Sequence, residues 1–368
     1  MAIELKNRIG ILTSGGDCSG LNSVIRSAYI RAKTLGYELV GIRRGMSGLA
    51  ASNQDYVVLS ESICDASLLT TSGSVLLSDT KWISNELKTT GKTPADIRKD
   101  VVEGYKKLDL GALICVGGDG SLSLFYELLV NEPEINFVIV PKTIDNDVAN
   151  TDFSVGFHTA INVVADAVEN IISTAKSHER TMVIEIMGRD AGYIAMYAGV
   201  ATGADAILVP EFKCSIDGLR KKVKSVYDSG LNHCIVLVAE SVSLDGFSHK
   251  DAFVDGVIKY SSTKYCGIGE YISAKLNEFG IESRSVTLGH VQRGGRTAVF
   301  DRLIASAFGI SAVNCIHVGE FGKMLGFEHN TVKTIDVKSL NCNFNRKLPP
   351  SDLCLQIANM TNTYVGEV

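Results

Sequence analysis

A basic excess, long apolar runs and paired cysteines are all missing from this 368-residue chain, and each absence argues against a class of function. Lysine and arginine number 36 against 41 aspartates and glutamates, leaving a net charge of −5 and a pI near 5.9. Non-specific nucleic-acid binding needs a basic surface, so the balance argues against it. No apolar run reaches the roughly 20 residues that span a bilayer, and the N-terminus lacks the apolar core of a secretory signal. The chain therefore reads as a cytoplasmic protein with no membrane segment. The nine cysteines are scattered, with no C-x-x-C pair, which points away from a zinc site or a disulfide framework. Cys115 and Cys234 lie in apolar strand-like runs and read as small buried hydrophobes. Nor is there a repeat of solenoid period, a low-complexity tract or a long Pro/Ser-rich linker.

What is present is enough apolar sequence, 45% of the chain, for a large core split over two domains. Short apolar runs predict strands at Arg8 to Leu12, Tyr37 to Ile42, Ala112 to Val116, Phe137 to Val140, Met182 to Met187, Ala206 to Val209, His233 to Ala239 and Ser285 to Leu288. Helical stretches alternate with them, at Leu21 to Lys33, Thr159 to Ala175, Ile194 to Thr202, Ile216 to Ser229 and Gly269 to Phe279. That alternation predicts an α/β fold with mainly parallel sheets and helices on both faces. The tail beyond about Val318 is too irregular to assign.

The chemistry-bearing motifs follow the strands, where open α/β sheets bind ligands. Ser14-Gly15-Gly16-Asp17 reads as a strand-to-helix turn with its amides at a helix N-terminus, ready for an anion; a tight turn has the same composition. Gly117-Gly118-Asp119-Gly120-Ser121 adds a second glycine turn, with a carboxylate suited to Mg²⁺ bridging donor phosphates. In Pro141-Lys142-Thr143-Ile144-Asp145-Asn146-Asp147, carboxylates two residues apart share a face of an extended backbone, so Asp145 and Asp147 converge on one site. One of them can take a proton from a hydroxyl. An Asx-rich turn is the bland alternative. Further on, Arg180, Met187-Gly188-Arg189, Glu240, Arg284, His290 and Arg293 place four arginines and a histidine near strand ends, a set suited to a sugar phosphate. Taken singly, each is more often a solvated charge or a surface ion pair. Together these parts read as phosphoryl-transfer machinery.

In order and wording these motifs, with Gly289-His290-Val291-Gln292-Arg293-Gly294-Gly295, resemble the 6-phosphofructokinase family from about Arg8 to Arg302. The resemblance implies two similar Rossmann-like domains with the active site in the cleft between them. Residues 1–156 with about 292–345 form the phosphoryl-donor domain, and 157–291 with about 346–368 the fructose 6-phosphate domain. It implies Mg²⁺-dependent transfer of a phosphoryl group to the 1-hydroxyl of fructose 6-phosphate. Asp145 matches the general base, Thr143 and Asp147 its neighbours, and Asp119 the Mg²⁺-linked carboxylate. Gly15, Gly120 and Ser121 match the donor-phosphate loops, and Lys142 lies beside the transferring group. Met187, Gly188, Arg189, Glu240, His290 and Arg293 match the sugar-phosphate site. Arg180 and Arg284 match arginines supplied from a neighbouring subunit, which implies a homodimer or homotetramer. Gly120 is the residue of ATP-using members, whereas pyrophosphate-using members usually carry aspartate there. ATP is therefore the expected co-substrate, with pyrophosphate the alternative. The chain departs from the family at Thr80-Lys81, where an arginine usually bridges the donor phosphates and Lys81 would stand in, and at Leu124, often glycine in ATP users. Those departures keep a regulatory paralogue open. A lipid or nucleotide kinase sharing Gly-Gly-Asp-Gly is disfavoured by the Pro141 to Asp147 segment.

Overall fold

The computed structural model describes residues 6–79, 82–247, 267–342 and 344–367. It separates into two compact units, Met1–Thr159 with Arg293–Asn345 and Ala160–Gln292 with Arg346–Val368.

The first unit is built on strands β1 (Arg8–Ser14), β2 (Glu38–Ile42), β3 (Tyr56–Val58), β4 (Ala112–Gly117) and β5 (Phe137–Pro141). In the second unit lie β6 (Thr181–Ile186), β7 (Ala206–Leu208), β8 (Cys234–Ala239) and β9 (Ser283–Thr287). The chain then returns to the first unit for β10 (Lys323–Glu328) and β11 (Thr331–Asp336). The first unit's sheet runs β11-β10-β5-β4-β1-β2-β3, and the second unit's runs β7-β8-β6-β9. Among the described residues, the strand pairings are parallel except β2–β3 and β10–β11, which are antiparallel.

The pattern follows from burial. β4, β5, β6 and β8 are buried along their whole length. Strands covered on both faces read as continuous apolar runs rather than as alternation. The edge strands β3 and β11 keep an alternating, partly exposed pattern, which is why β11 sits in a tail that looks irregular in sequence. Cys115 and Cys234 are fully buried thiols, and burial pushes both pKa values up.

The observed helices include Leu21–Thr34, Phe157–Ser177, Tyr193–Thr202, Ile216–Asp228 and Ile268–Glu278, close to the predicted stretches. Pro94–Lys107, Val299–His317 and Leu353–Met360 were not predicted. The first of them carries a full capping box, Thr93 with Asp96, and proline at its first position, a start signal that sits plainly in the sequence. By length and composition Val299–His317 could cross a membrane, yet half of its most apolar window is buried inside the fold. It crosses Leu21–Thr34 closely enough that a Cβ on Gly309 would stand 2.1 Å from Ser27 Oγ. Asp301 on this helix is fully buried and accepts from Gly156 N at 3.1 Å, Thr159 N at 2.7 Å and Thr159 Oγ1 at 2.6 Å. It thereby fixes the start of Phe157–Ser177.

Candidate active site

In the first unit the strand order reverses beside β1, since β2 lies on one side of it and β4 and β5 on the other. Such a reversal opens a crevice at the carboxyl ends of the two central strands. β1 delivers Gly15-Gly16-Asp17 there, and β4 delivers Gly118-Asp119-Gly120.

The two glycine segments are built differently from the sequence expectation. The helix after β1 begins only at Leu21, capped by Gly20, so Gly15 to Asp17 form a loop and not a helix N-terminus. The helix terminus belongs to the second segment. Gly118 caps Asp119–Leu129, which places Asp119, Gly120 and Ser121 in the first helical turn. A carboxylate at that position is favoured by the helix dipole. Gly15 has φ 86°, and a Cβ there would come within 2.7 Å of Ser121 Oγ and 3.4 Å of Lys142 Nζ. Positive φ and close approach together leave only glycine workable at this point. Ser78 Oγ donates to Gly15 O at 2.5 Å and Ser121 Oγ to Ser14 Oγ at 3.2 Å, so the loop is held from two sides. By contrast, a Cβ on Gly120 would meet nothing within 4 Å. The space over Gly120 is open.

Lys142 follows β5 and is buried, with its ammonium donating to Gly16 O at 2.5 Å. Burial pulls its pKa down, Arg293 adds to that, and Asp145 and Asp17 oppose it. The next segment is not extended, as the two-residue spacing had predicted. Asn146 has φ 53°, and its buried amide donates to Asp152 O at 3.1 Å and accepts from Ser154 N at 2.9 Å. Ser154 Oγ in turn donates to Thr143 O at 2.7 Å. This locked turn half-exposes Asp145 and leaves Asp147 only 5% exposed, so alternation along a strand does not bring the two carboxylates together. Thr143 Oγ1 accepts from Asp145 N at 3.1 Å and lies 3.3 Å from Asp145 Oδ2, which orients that carboxylate. Arg293 turns to the β1 loop, 3.8 Å from Asp17, with its guanidinium 3.1 Å from where a Cβ on Gly16 would stand. Asp119 is half-exposed and faces the side chain of Asn345. Lys81 lies outside the described residues.

In the second unit Met187, Gly188 and Arg189 leave β6 in a tight turn closed by Ala191 N to Gly188 O at 2.9 Å. A Cβ on Gly188 would clash with Ala191 O at 2.4 Å, and Arg189 takes φ 51°. A left-handed arginine stores strain of about 1–3 kcal/mol, a cost usually met at functional turns. Here Arg189 N donates to Glu240 Oε1 at 3.0 Å, and Glu240 extends the neighbouring β8 by donating its own N–H to Ile186 O at 2.8 Å. His290 is exposed beyond the same end of β9. Met187, Gly188, Arg189, Glu240 and His290 thus share the carboxyl edge of the sheet.

Arg180 and Arg284 do not join them. Arg180 precedes β6, where it pairs with Glu282 at 3.3 Å, and Arg284 lies opposite Met182 in β9. At about 3.3 Å per residue, Arg180 is roughly 20 Å from the carboxyl end of β6. The sequence expectation grouped all four arginines near strand ends without saying which ends, and the fold splits them. It also brings in residues no motif had marked. Ser78 and Asn345 carry no local signal. Buried Glu185 accepts from Gly267 N and Gly269 N and so anchors the Ile268–Glu278 helix, a structural duty.

Comparison with known proteins settles what such an arrangement belongs to, because the phosphofructokinase family profile matches residues 8–316. The chain belongs to the phosphofructokinase family. It is 39% identical over 366 residues to ATP-dependent 6-phosphofructokinase 1 of Nostoc sp. (strain PCC 7120), covering 98% of this chain and 99% of that one. It is 37% identical over 333 residues to pyrophosphate–fructose 6-phosphate 1-phosphotransferase of Dictyoglomus thermophilum, covering 90% and 92%. Among solved structures, phosphofructokinase from Saccharomyces cerevisiae superposes with a TM-score of 0.75 at 26% identity. That match covers 91% of this chain and 45% of the yeast chain, so this phosphofructokinase chain spans a little under half the yeast chain's length. Both donor types thus stand at similar identity to this phosphofructokinase, and overall likeness does not sort them.

Proposed function

We propose that the protein is an ATP-dependent 6-phosphofructokinase, transferring the γ-phosphoryl group of ATP to the 1-hydroxyl of fructose 6-phosphate. The observation that carries the donor assignment is the open space over Gly120, beside Asp119 at a helix N-terminus. Neither φ nor crowding by the protein demands glycine there, so what the residue preserves is room, as a nucleotide's α-phosphate requires. The first unit then acts as the donor domain. The carboxyl edge of the second unit, with Met187, Gly188, Arg189, Glu240 and His290, acts as the sugar-phosphate domain.

Asp145 accepts the proton of the 1-hydroxyl, and Thr143 holds its carboxylate in place. The alkoxide oxygen forms a bond to the γ-phosphorus as the bridging P–O bond breaks, and ADP leaves. Gly15, Gly120 and Ser121 present backbone N–H groups to the donor, and Lys142 supplies positive charge at the floor of the loop. Among the described residues no three metal-ligating side chains cluster. One half-exposed carboxylate at a phosphate-binding helix end is what a Mg²⁺ carried in on substrate phosphates needs, so Asp119 fits that role. Bound there, Mg²⁺ would neutralise charge on the donor phosphates.

Arg180 and Arg284, at the far edge of the sheet, then serve the sugar phosphate of a neighbouring subunit, which makes the active species a homodimer or homotetramer. Initial rates with ATP and with pyrophosphate at fixed fructose 6-phosphate test the donor. Turnover with pyrophosphate alone would overturn the ATP assignment in favour of the activity named for the Dictyoglomus relative. Absence of turnover with either would leave a regulatory paralogue.

A further inference from the structure

Asn345, the last residue of the first unit, stands where two parts of the site meet. With its amide nitrogen toward the carboxylate, as the chemistry of the pair requires, it donates to Asp119 Oδ1 at 2.5 Å and reaches Oδ2 at 3.3 Å. Its backbone forms an antiparallel bridge with Val148, next to Asp147. Its neighbour Phe344 accepts from Ala149 N at 2.6 Å. The Phe344 ring is 2% exposed and packs edge-on against Tyr126, 6.0 Å between centroids, on the helix that Asp119 begins. The Asn345 backbone is thus held beside Val148, just past the Asp145–Asp147 segment, and its neighbour Phe344 packs on Asp119's own helix. Asn345 is itself exposed, so the fold gains little from its burial.

We propose that Asn345 is a positioning residue that holds the Asp119 carboxylate in the orientation needed to meet the donor's Mg²⁺, while tying that carboxylate to the segment that carries the base. The inference rests on the reading of Asp119 as the Mg²⁺-linked group. An amide donor directs the remaining lone pairs of a carboxylate outward, and loss of such supporting bonds typically weakens metal binding about 10–100-fold.

The test uses the full chain and Mn²⁺ as the probe, titrated by electron paramagnetic resonance with a non-hydrolysable ATP analogue present, beside kinetics in Mg²⁺. Asn345→Leu, close in shape but without a donor, should weaken Mn²⁺ binding at least tenfold and raise the Mg²⁺ requirement. Its KM for fructose 6-phosphate and its thermal midpoint should stay at wild-type values. Asn345→Gln should recover part of the loss, and Asn345→Ala serves should the leucine variant fold poorly. Wild-type Mn²⁺ affinity in both donor-less variants overturns the proposal, as does loss in Asn345→Leu that spreads to the fructose 6-phosphate KM and the thermal midpoint. Asp119→Asn separates the two levels of argument. If that variant binds Mn²⁺ as wild type does, the assignment of Asp119 fails, and the positioning role fails with it.

Discussion

Replacing Gly120 by aspartate should make the protein more stable and worse at using ATP, two effects of opposite sign from one side chain. Gly120 is the second residue of the Asp119–Leu129 helix, exposed, with nothing within 4 Å of a Cβ built there. The fold therefore tolerates a side chain. Replacing a helical glycine by aspartate gains only about 0.3 kcal/mol of helix propensity, because aspartate ranks just above glycine, and a carboxylate in the first turn adds about 0.3–1 kcal/mol through the helix dipole. The denaturation midpoint should accordingly rise. The same carboxylate fills the space proposed for the α-phosphate. At an effective dielectric of ~20, two unit charges ~4 Å apart repel by about 4 kcal/mol, roughly a thousandfold loss of nucleotide affinity. Urea denaturation and kcat/KM for ATP and for pyrophosphate, measured on wild type and Gly120→Asp, read both effects. A variant that is destabilised would show that glycine serves the helix. One that uses ATP as wild type does would show that no phosphate passes over position 120.

Asp145→Ser should retain fructose 6-phosphate binding while kcat falls at least ~10²-fold, the scale of a lost general base; calorimetry and initial rates check this, and more than a tenth of wild-type kcat would remove Asp145 from the role. Mixing inactive Arg180→Ala subunits with inactive Asp145→Ser subunits should restore part of the activity, because Arg180 stands at the wrong end of β6 to serve its own chain's Arg189. Hybrids that assemble yet stay inactive would end the shared-site idea. Burial pushes the Asp301 carboxyl up to about 6, against 3.8 in an unfolded chain, although bonds from Thr159 and Gly156 pull the other way. Between those values the native state holds a proton that the unfolded chain has lost. Stability relative to Asp301→Asn should therefore fall as pH rises across that window, by up to about 3 kcal/mol. Denaturation midpoints of both proteins from pH 4 to 7 test this, and a difference that grows with pH would mean the donors keep Asp301 ionised.

The central strands were readable because parallel strands covered on both faces leave a continuous apolar run. Ala112–Gly117 and Phe137–Pro141 needed no further context. The hairpin Lys323–Glu328 with Thr331–Asp336 was not read from sequence: only its inner strand is buried, over Met324 to Phe327, and the edge strand Thr331–Asp336 is partly exposed and carries a weak pattern. The Pro94–Lys107 helix could have been found from its capping box. In the site, the strand-end glycines and the Thr143–Asp147 segment were visible as local composition, but their geometry was not. The assumption of extended backbone failed at Asn146, whose left-handed φ depends on bonds to Asp152 and Ser154.

The sequence by itself marked which residues are candidates for phosphoryl chemistry and that most of them follow strands, because glycine, carboxylate and apolar run are properties of a few adjacent positions. Only the tertiary structure decided which of them meet. Strand order puts the β1 and β4 loops side by side across nearly a hundred intervening residues. Sheet direction sends Arg180 and Arg284 to one edge and Arg189 and Glu240 to the other. Asn345 reaches Asp119 from more than two hundred residues away. Such meetings are set by how buried strands are ordered and how the chain returns to them, and no local stretch of sequence carries that information.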